Sequence, residues 1–288
     1  MSKKNNRYII GIGAQKAGTS WLTYYLSRHP QVLVSPVKEV HFFDSVYRAD
    51  LCPNMEQRMA RLLIEVAHKL QLDDILENKP RFKRFTKLNE RLQFNGDIQR
   101  YRDYFTENSK NKSIFCDVTP EYALLDTTGF EAVKSLADDV RLVFILRNPI
   151  DRFWSEMRMR SKKKPDSDIF AKTRSLLDKT TDHPSILCTE YHKTLETLYQ
   201  VFPKERVFVQ FYEHLFNSES IAQLCQFCDI DFVEPNIEKR VMQGISIPLT
   251  DELRATMYHK FSQVYDWAEH EFGTDLPEVW RKDMAKFR

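Results

Sequence analysis

The sequence predicts an α/β fold: a single domain over residues 1–288, built on a central, mostly parallel sheet of about five strands flanked by helices. Three observations predict it. Short apolar runs recur along the chain, and helical periodicity fills the gaps between them, the order expected of repeated strand and crossover-helix units. The runs are continuous rather than alternating, which suits strands covered on both faces. A length of 288 residues lies at the upper end of what one hydrophobic core supports.

Taken in order, the first run is YIIGIG (residues 8–13), which passes through a glycine-rich turn into the helical pattern TSWLTYYLSR. QVLVS (31–35) is the second, and a polar insert near residues 50–100 follows it. SIFCDV (113–118) is the third; the fourth, RLVFIL (141–146), is stopped by Pro149, which also opens the helix IDRFWSEMRMRSKK. A second polar insert covers residues 162–185, and EYHKTLETLYQVF is a helix before the fifth run, RVFVQFY (206–212). DELRATMYHKFSQVYDWAEHEFG keeps apolar i, i+3, i+4 spacing and reads as one long helix packed across the sheet. Both inserts hang from one sheet, so they are expected to be lids or binding-site walls rather than separate domains. No internal repeat is evident.

Composition excludes several classes. Apolar residues make up 42%, with 20 Phe and 12 Tyr for a sizeable core, and only 7 Gly argue against a low-complexity chain. A net charge of +2 gives no global attraction for nucleic acid or a membrane surface, so any anion site must be local. The start, MSKKNNRYIIGIG, is too short in apolar residues for a signal-peptide core or a membrane span, and the expectation is a soluble cytoplasmic protein. Cys52, Cys116, Cys188, Cys225 and Cys228 are odd in number and scattered, which suits a reducing compartment. The Cys225/Cys228 pair reads as two faces of a buried helix, so no metal is expected.

The turn after the first strand is the most specific feature. Gly13-x4-Gly18 between a strand and a helix is the arrangement of a P-loop-type domain, and Thr19 with Ser20 opens the helix. Amides and hydroxyls there converge on an anion at the positive end of the helix dipole. A nucleotide triphosphatase places Lys directly after the second glycine, where this chain has Thr19; its loop lysine is Lys16, in mid-turn. ATP hydrolysis is therefore disfavoured.

The pattern GxxKxGTxW, here GAQKAGTSW, resembles the 5′-phosphosulfate loop of the family of sulfotransferases that use 3′-phosphoadenosine 5′-phosphosulfate (PAPS). That resemblance implies donor binding by Gly13, Gln15, Lys16, Ala17, Gly18, Thr19, Ser20 and Trp21, with Lys16 on the bridging oxygen where charge develops. The run RLVFILRNPIDRFWSEM carries a second motif, Arg147 at the strand end and Ser155 eight residues later, two turns into the helix. In the family, the matching Arg and Ser hold the 3′-phosphate. A guanidinium suits that task, being permanently charged and able to bind phosphate through two parallel hydrogen bonds.

The segment SPVKEVHFFD resembles the KEVHFFD stretch of Golgi heparan sulfate sulfotransferases, in which the Glu is the base. It implies Glu39 as base, His41 as second choice, and His41 with Asp44 as orienting or acceptor-lining residues. The cytosolic phenol and steroid branch uses a His after its next strand, where this chain reads CDVTPEY. The Golgi group has Lys at the position of Val118, so a groove for a polyanion would lack that charge. Thr119, Glu121 and Tyr122 are further candidates for the acceptor wall. Tyr212 resembles a family tyrosine near the purine, and Lys239 with Arg240 are expected to close on the 3′-phosphate. The resemblance, closer to the Golgi and bacterial carbohydrate-type branch, implies metal-free, in-line transfer to a hydroxyl or amine of a small molecule or glycan. Oligomeric state is not indicated. A P-loop kinase and a noncatalytic nucleotide-binding module are the competing classes.

Overall fold

A computed structural model describes residues 6–162, 168–178, 182–239, 241 and 246–288. Each apolar run forms a strand: β1 (Arg7–Gly13), β2 (Val32–Val34), β3 (Ile114–Val118), β4 (Asp139–Leu146) and β5 (Val207–Phe211). Their order is β2-β3-β1-β4-β5, and every neighbouring pair is parallel. Continuous apolar sequence is what burial on both faces demands, and Ile9, Ile10 and Ile12 of β1, like residues 142–146 of β4, are all buried. From the central β1 the chain first fills one side of the sheet and later the other. Such a reversal leaves a crevice at the carboxyl ends of the strands on either side of it, here β1 and β4, where open α/β sheets bind ligands.

Helices cover the sheet. α1 (Thr19–Arg28) returns the chain from β1 to β2, and α2 (Phe43–Tyr47) follows. The first polar insert is largely helical: α3 (Met55–Ala67) packs on α5 (Pro80–Leu92), with α4 (Leu72–Leu76) between them and α6 (Ile98–Thr106) leading to β3. Met55, Met59 and Leu88 bury the inner stripe of this hairpin while its outer face stays charged. α7 (Thr127–Lys134) joins β3 to β4, and α8 (Pro149–Lys162) starts at the proline, as expected. The second insert contributes α9 (Ile169–Asp178) and α10 (Pro184–Leu187) before α11 (Tyr191–Tyr199). After β5 come α12 (Tyr212–Leu215) and α13 (Ser218–Cys228).

The terminal segment differs from its expected form. Instead of one long helix it makes α14 (Asp251–Lys260) and α15 (Ser262–Phe272), followed by α16 (Glu278–Phe287). The break is at Phe261, a buried residue whose ring meets Phe153 at 5.4 Å. α14 packs on α8, α9 and α16, whereas α15 packs on α11, so the two halves bury against different partners on either side of the break. Contact with the sheet runs through the rings of Phe272 and Trp280 on Phe211. Cys225 and Cys228 are buried in α13, with the Cys225 sulfur 3.2 Å from the Tyr25 hydroxyl, and all five cysteines are free. Among the described residues no helix is long and apolar enough to cross a membrane.

Candidate active site

β1 ends at Gly13 and the chain turns into α1 at Gly18. Both glycines are required by backbone and space. Gly13 has φ 143° and a Cβ there would lie 3.1 Å from the Pro120 carbonyl; Gly18 has φ 83° and a Cβ there would lie 3.1 Å from Tyr212 Cδ2. The turn is tied to the sheet by the Ala14 amide, which donates to the Ile145 carbonyl at 2.8 Å, and closed by Ala17 donating to Ala14 at 3.1 Å. Among the described residues no backbone carbonyl accepts from the amides of Lys16, Gly18, Thr19 and Ser20, which stand at the positive end of α1.

The second motif meets this turn directly. Arg147 Nη1 donates to the Lys16 carbonyl at 2.7 Å, and the guanidinium carbon lies 4.6 Å from the centroid of the Tyr212 ring. Tyr212 therefore packs against Gly18 of one motif and Arg147 of the other. Lys16 Nζ is 3.6 Å from Met159 Sδ on α8, and half-buried Ser155 lies one turn earlier on that helix. Lys16 is held below the ordinary lysine range, chiefly by burial and then by Arg147, with Arg158 and Lys38 adding repulsion that Glu156 opposes. Arg158 escaped the sequence reading; its signal was the i, i+3 spacing from Ser155, which puts both on one face of α8.

A buried brace holds the end of β4. Tyr191 donates its hydroxyl to the Arg147 carbonyl at 2.7 Å, and the Asn148 amide donates to Glu213 Oε1 at 2.9 Å. Asn148 Oδ1 caps α8 by accepting from the Asp151 amide at 3.1 Å, and its Nδ2 donates to Asp283 Oδ2 at 2.8 Å. Asp283 in turn accepts from Arg254 Nε at 2.7 Å and from the Tyr265 hydroxyl at 3.0 Å.

Across the crevice, Glu39, His41 and Glu121 place one donor atom each within 4.8 Å of one another. The His41 ring is buried, donating from Nδ1 to Asp44 Oδ2 at 2.7 Å and presenting Nε2 to Glu39 Oε2 at 3.8 Å. Lys38 pairs with the other Glu39 oxygen. Gln15 Nε2 donates to Glu121 Oε1 at 3.1 Å, a direct link between the glycine-rich turn and this cluster. Burial would lower the His41 pKa, but bonds to Asp44 and Glu39 outweigh it and raise it to about 10. Burial would raise Glu39, but His41 and Lys38 bring it down to about 2. Glu121 is pushed up, mainly by burial, with Glu39 and Asp44 adding to the effect. Two carboxylates and an imidazole form a metal-like donor set, yet the proton on His41 and the charge of Lys38 already supply the balancing positive charge.

Other residues singled out in the sequence have the following surroundings. Trp21 is buried, stacked on Tyr25 at 5.8 Å, and donates its indole N–H to the Asn236 carbonyl at 3.3 Å. Ala17 is fully buried and contributes backbone alone. Val118 is buried with its methyls against Gly11, and Thr119 and Tyr122 donate their hydroxyls to the buried Asp117 at 2.8 Å each. The Lys239 amide donates to Asn236 Oδ1 at 3.1 Å; Arg240 lies outside the described residues.

The sequence matches a family model described as "Sulfotransferase domain" over residues 6–284. Solved structures share the fold. The sulfotransferase from Alicyclobacillus acidocaldarius matches with a TM-score of 0.61 at 19% identity, covering 98% of this chain and 100% of that one. The sulfotransferase domain from the curacin biosynthetic pathway matches with a TM-score of 0.52 at 15% identity, covering 99% and 98%. The sulfotransferase domain from the Synechococcus PCC 7002 olefin synthase gives 0.50 at 15% identity, covering 92% and 96%. No curated protein matches the chain.

Proposed function

The chain belongs to the sulfotransferase family, and on that premise we propose that it moves the sulfuryl group of PAPS to a hydroxyl or amine of a small molecule or glycan. What supports this reading most is the meeting of the two anion-binding motifs, with Arg147 donating to the Lys16 carbonyl and Tyr212 packed against both. The residues fit such a donor. The amides at the start of α1 and Lys16 suit the 5′-phosphosulfate, while Arg147, Ser155 and Arg158 suit the 3′-phosphate. No metal enters the scheme, because these cations supply the positive field that Mg²⁺ supplies for ATP.

In the reaction, the acceptor oxygen or nitrogen forms a bond to sulfur as the bond from sulfur to the 5′-phosphate oxygen breaks. Charge develops on that leaving oxygen, where Lys16 stabilises it, and adenosine 3′,5′-bisphosphate departs. The acceptor proton passes to Glu39. Between the two candidate bases, Glu39 is favoured because it is ionised and its side chain 31% exposed, whereas His41 is 2% exposed and already carries a proton at neutral pH. Glu39 is a weak base while Lys38 sits on it. Lys38 is 43% exposed and lies within electrostatic reach of Lys16, so a donor anion at the turn draws it away and restores basicity to the carboxylate. We read residues 1–288 as one catalytic domain working in the cytoplasm, a setting that five free, buried cysteines suit.

The competing kinase class is separated by thermal unfolding with adenosine 3′,5′-bisphosphate, MgATP or buffer. At 100 times its dissociation constant the bisphosphate should add about 2.7 kcal/mol, an upward shift of several degrees. Stabilisation by MgATP alone would reject the assignment.

A further inference from the structure

Glu39 and His41 both hold left-handed backbone, with φ 59° and 52°, although neither is glycine. Such conformations persist only where the surroundings impose them, and they cluster at functional sites. At His41 the imposing group comes from the polar insert. Arg91 of α5, 1% exposed, donates from Nε to the Val40 carbonyl at 2.5 Å and from Nη2 to the His41 carbonyl at 2.6 Å. These are the carbonyls of the two peptide units that flank the His41 α-carbon, and the orientation of those two planes is what φ and ψ describe. Tyr122 secures the second unit at its other end, its hydroxyl accepting from the Phe42 amide at 3.2 Å. Glu56 of α3 aligns the guanidinium in turn, accepting at 2.9 Å from Nη1 and 2.7 Å from Nη2. A lysine, with three donors and no planar fork, cannot reproduce these four bonds to two carbonyls and both oxygens of a carboxylate.

We propose that Arg91 is a positioning residue for the transfer reaction: by gripping both peptides around His41 it keeps the imidazole between Asp44 and Glu39, and so fixes Glu39 at the acceptor. The insert is thereby part of the machinery for proton removal. This rests on Glu39 being the base, and the two claims are tested separately.

The experiment follows the His41 ring by long-range ¹H–¹⁵N correlation NMR, assigned by loss of the signal in His41→Gln. The groups facing that ring are Glu39, Asp44, Glu121 and Asp117, with Lys38 beyond Glu39. In the native protein the ring should stay doubly protonated through neutral pH and titrate near 10. In Arg91→Met the ring leaves its carboxylates, and its titration should fall towards about 6.5, the value of a free imidazole. Turnover should drop about 10²-fold, the scale of an ångström-sized misplacement, with the dissociation constant for adenosine 3′,5′-bisphosphate held within twofold. Guanidinium chloride at millimolar concentration added to Arg91→Ala should recover part of both signals. If Arg91→Met is insoluble, Glu56→Gln, on the exposed side of the pair, should give a smaller shift in the same direction. A His41 titration that stays near 10 in either soluble variant would overturn the proposal. Full turnover by Glu39→Gln would instead remove the base assignment and leave the Arg91 result standing.

Discussion

The two sides of the crevice are built on opposite electrostatic plans. On the proposed donor side, Lys16, Arg147 and Arg158 repel one another, and the amides at the start of α1 have no backbone acceptor among the described residues. On the proposed acceptor side the cations are paired, Lys38 on Glu39 and a protonated His41 between Glu39 and Asp44, while burial pushes the Glu121 carboxyl towards its neutral form. The first side carries repulsion that Glu156 and Asp151 offset in part and that a bound anion would offset further. The second is largely neutralised in advance, which keeps Glu39, the proposed base, ionised and weakly basic until its partners shift. A site of this kind should bind donor first and gain proton-accepting power as a result.

Substitutions test whether the sides are separable. Glu39→Gln should cut turnover by about 10² to 10⁴, the worth of a positioned base, and leave affinity for adenosine 3′,5′-bisphosphate within twofold by calorimetry. An equal fall in affinity would erase the division. Arg147→Lys comes next. Losing the fork but keeping the charge should weaken the bisphosphate about 10- to 100-fold, with adenosine 5′-monophosphate unaffected; equal weakening of both nucleotides would detach Arg147 from the 3′-phosphate. The smallest effect concerns pH. The folded His41 value, about 10, lies above its unfolded value near 6.5, so its stabilisation is complete below about pH 6.5 and is lost as pH climbs to about 10. Glu39, lowered to about 2, behaves in reverse, contributing above its ordinary value of 4.5 and losing that contribution as pH falls towards 2. Melting temperature should therefore decline over the alkaline interval by a few degrees more in the native protein than in His41→Gln, and parallel curves would refute the ion cluster.

The two sides also differ in how far sequence reveals them. All five strands were legible because a parallel strand's signal, a continuous apolar run, is local. The glycine-rich turn and the Arg147 segment were legible for the same reason, each lying in one unbroken stretch. The acceptor side is assembled from distant pieces. Gln15 meets Glu121, and Arg91 meets Val40 and His41, at separations of 106, 51 and 50 residues, and nothing in the periodicity around Arg91 marks it off from the other cations of α5. The break at Phe261 was hidden likewise, since unbroken i, i+3, i+4 spacing does not say that α14 and α15 will bury against different neighbours. Only Arg158 could have been found from spacing, one turn beyond Ser155 on α8.

The brace beneath Arg147 has a consequence for synthesis. Its members arrive on the ribosome in the order Asn148, Tyr191, Glu213, Arg254, Tyr265 and Asp283. A growing chain therefore completes the glycine-rich turn and the last strand well before Asp283, the residue that ties Asn148 to Arg254 and Tyr265, has been made. A chain that ends before that residue should keep the end of β4 held by Tyr191 and Glu213 without the Asp283 link.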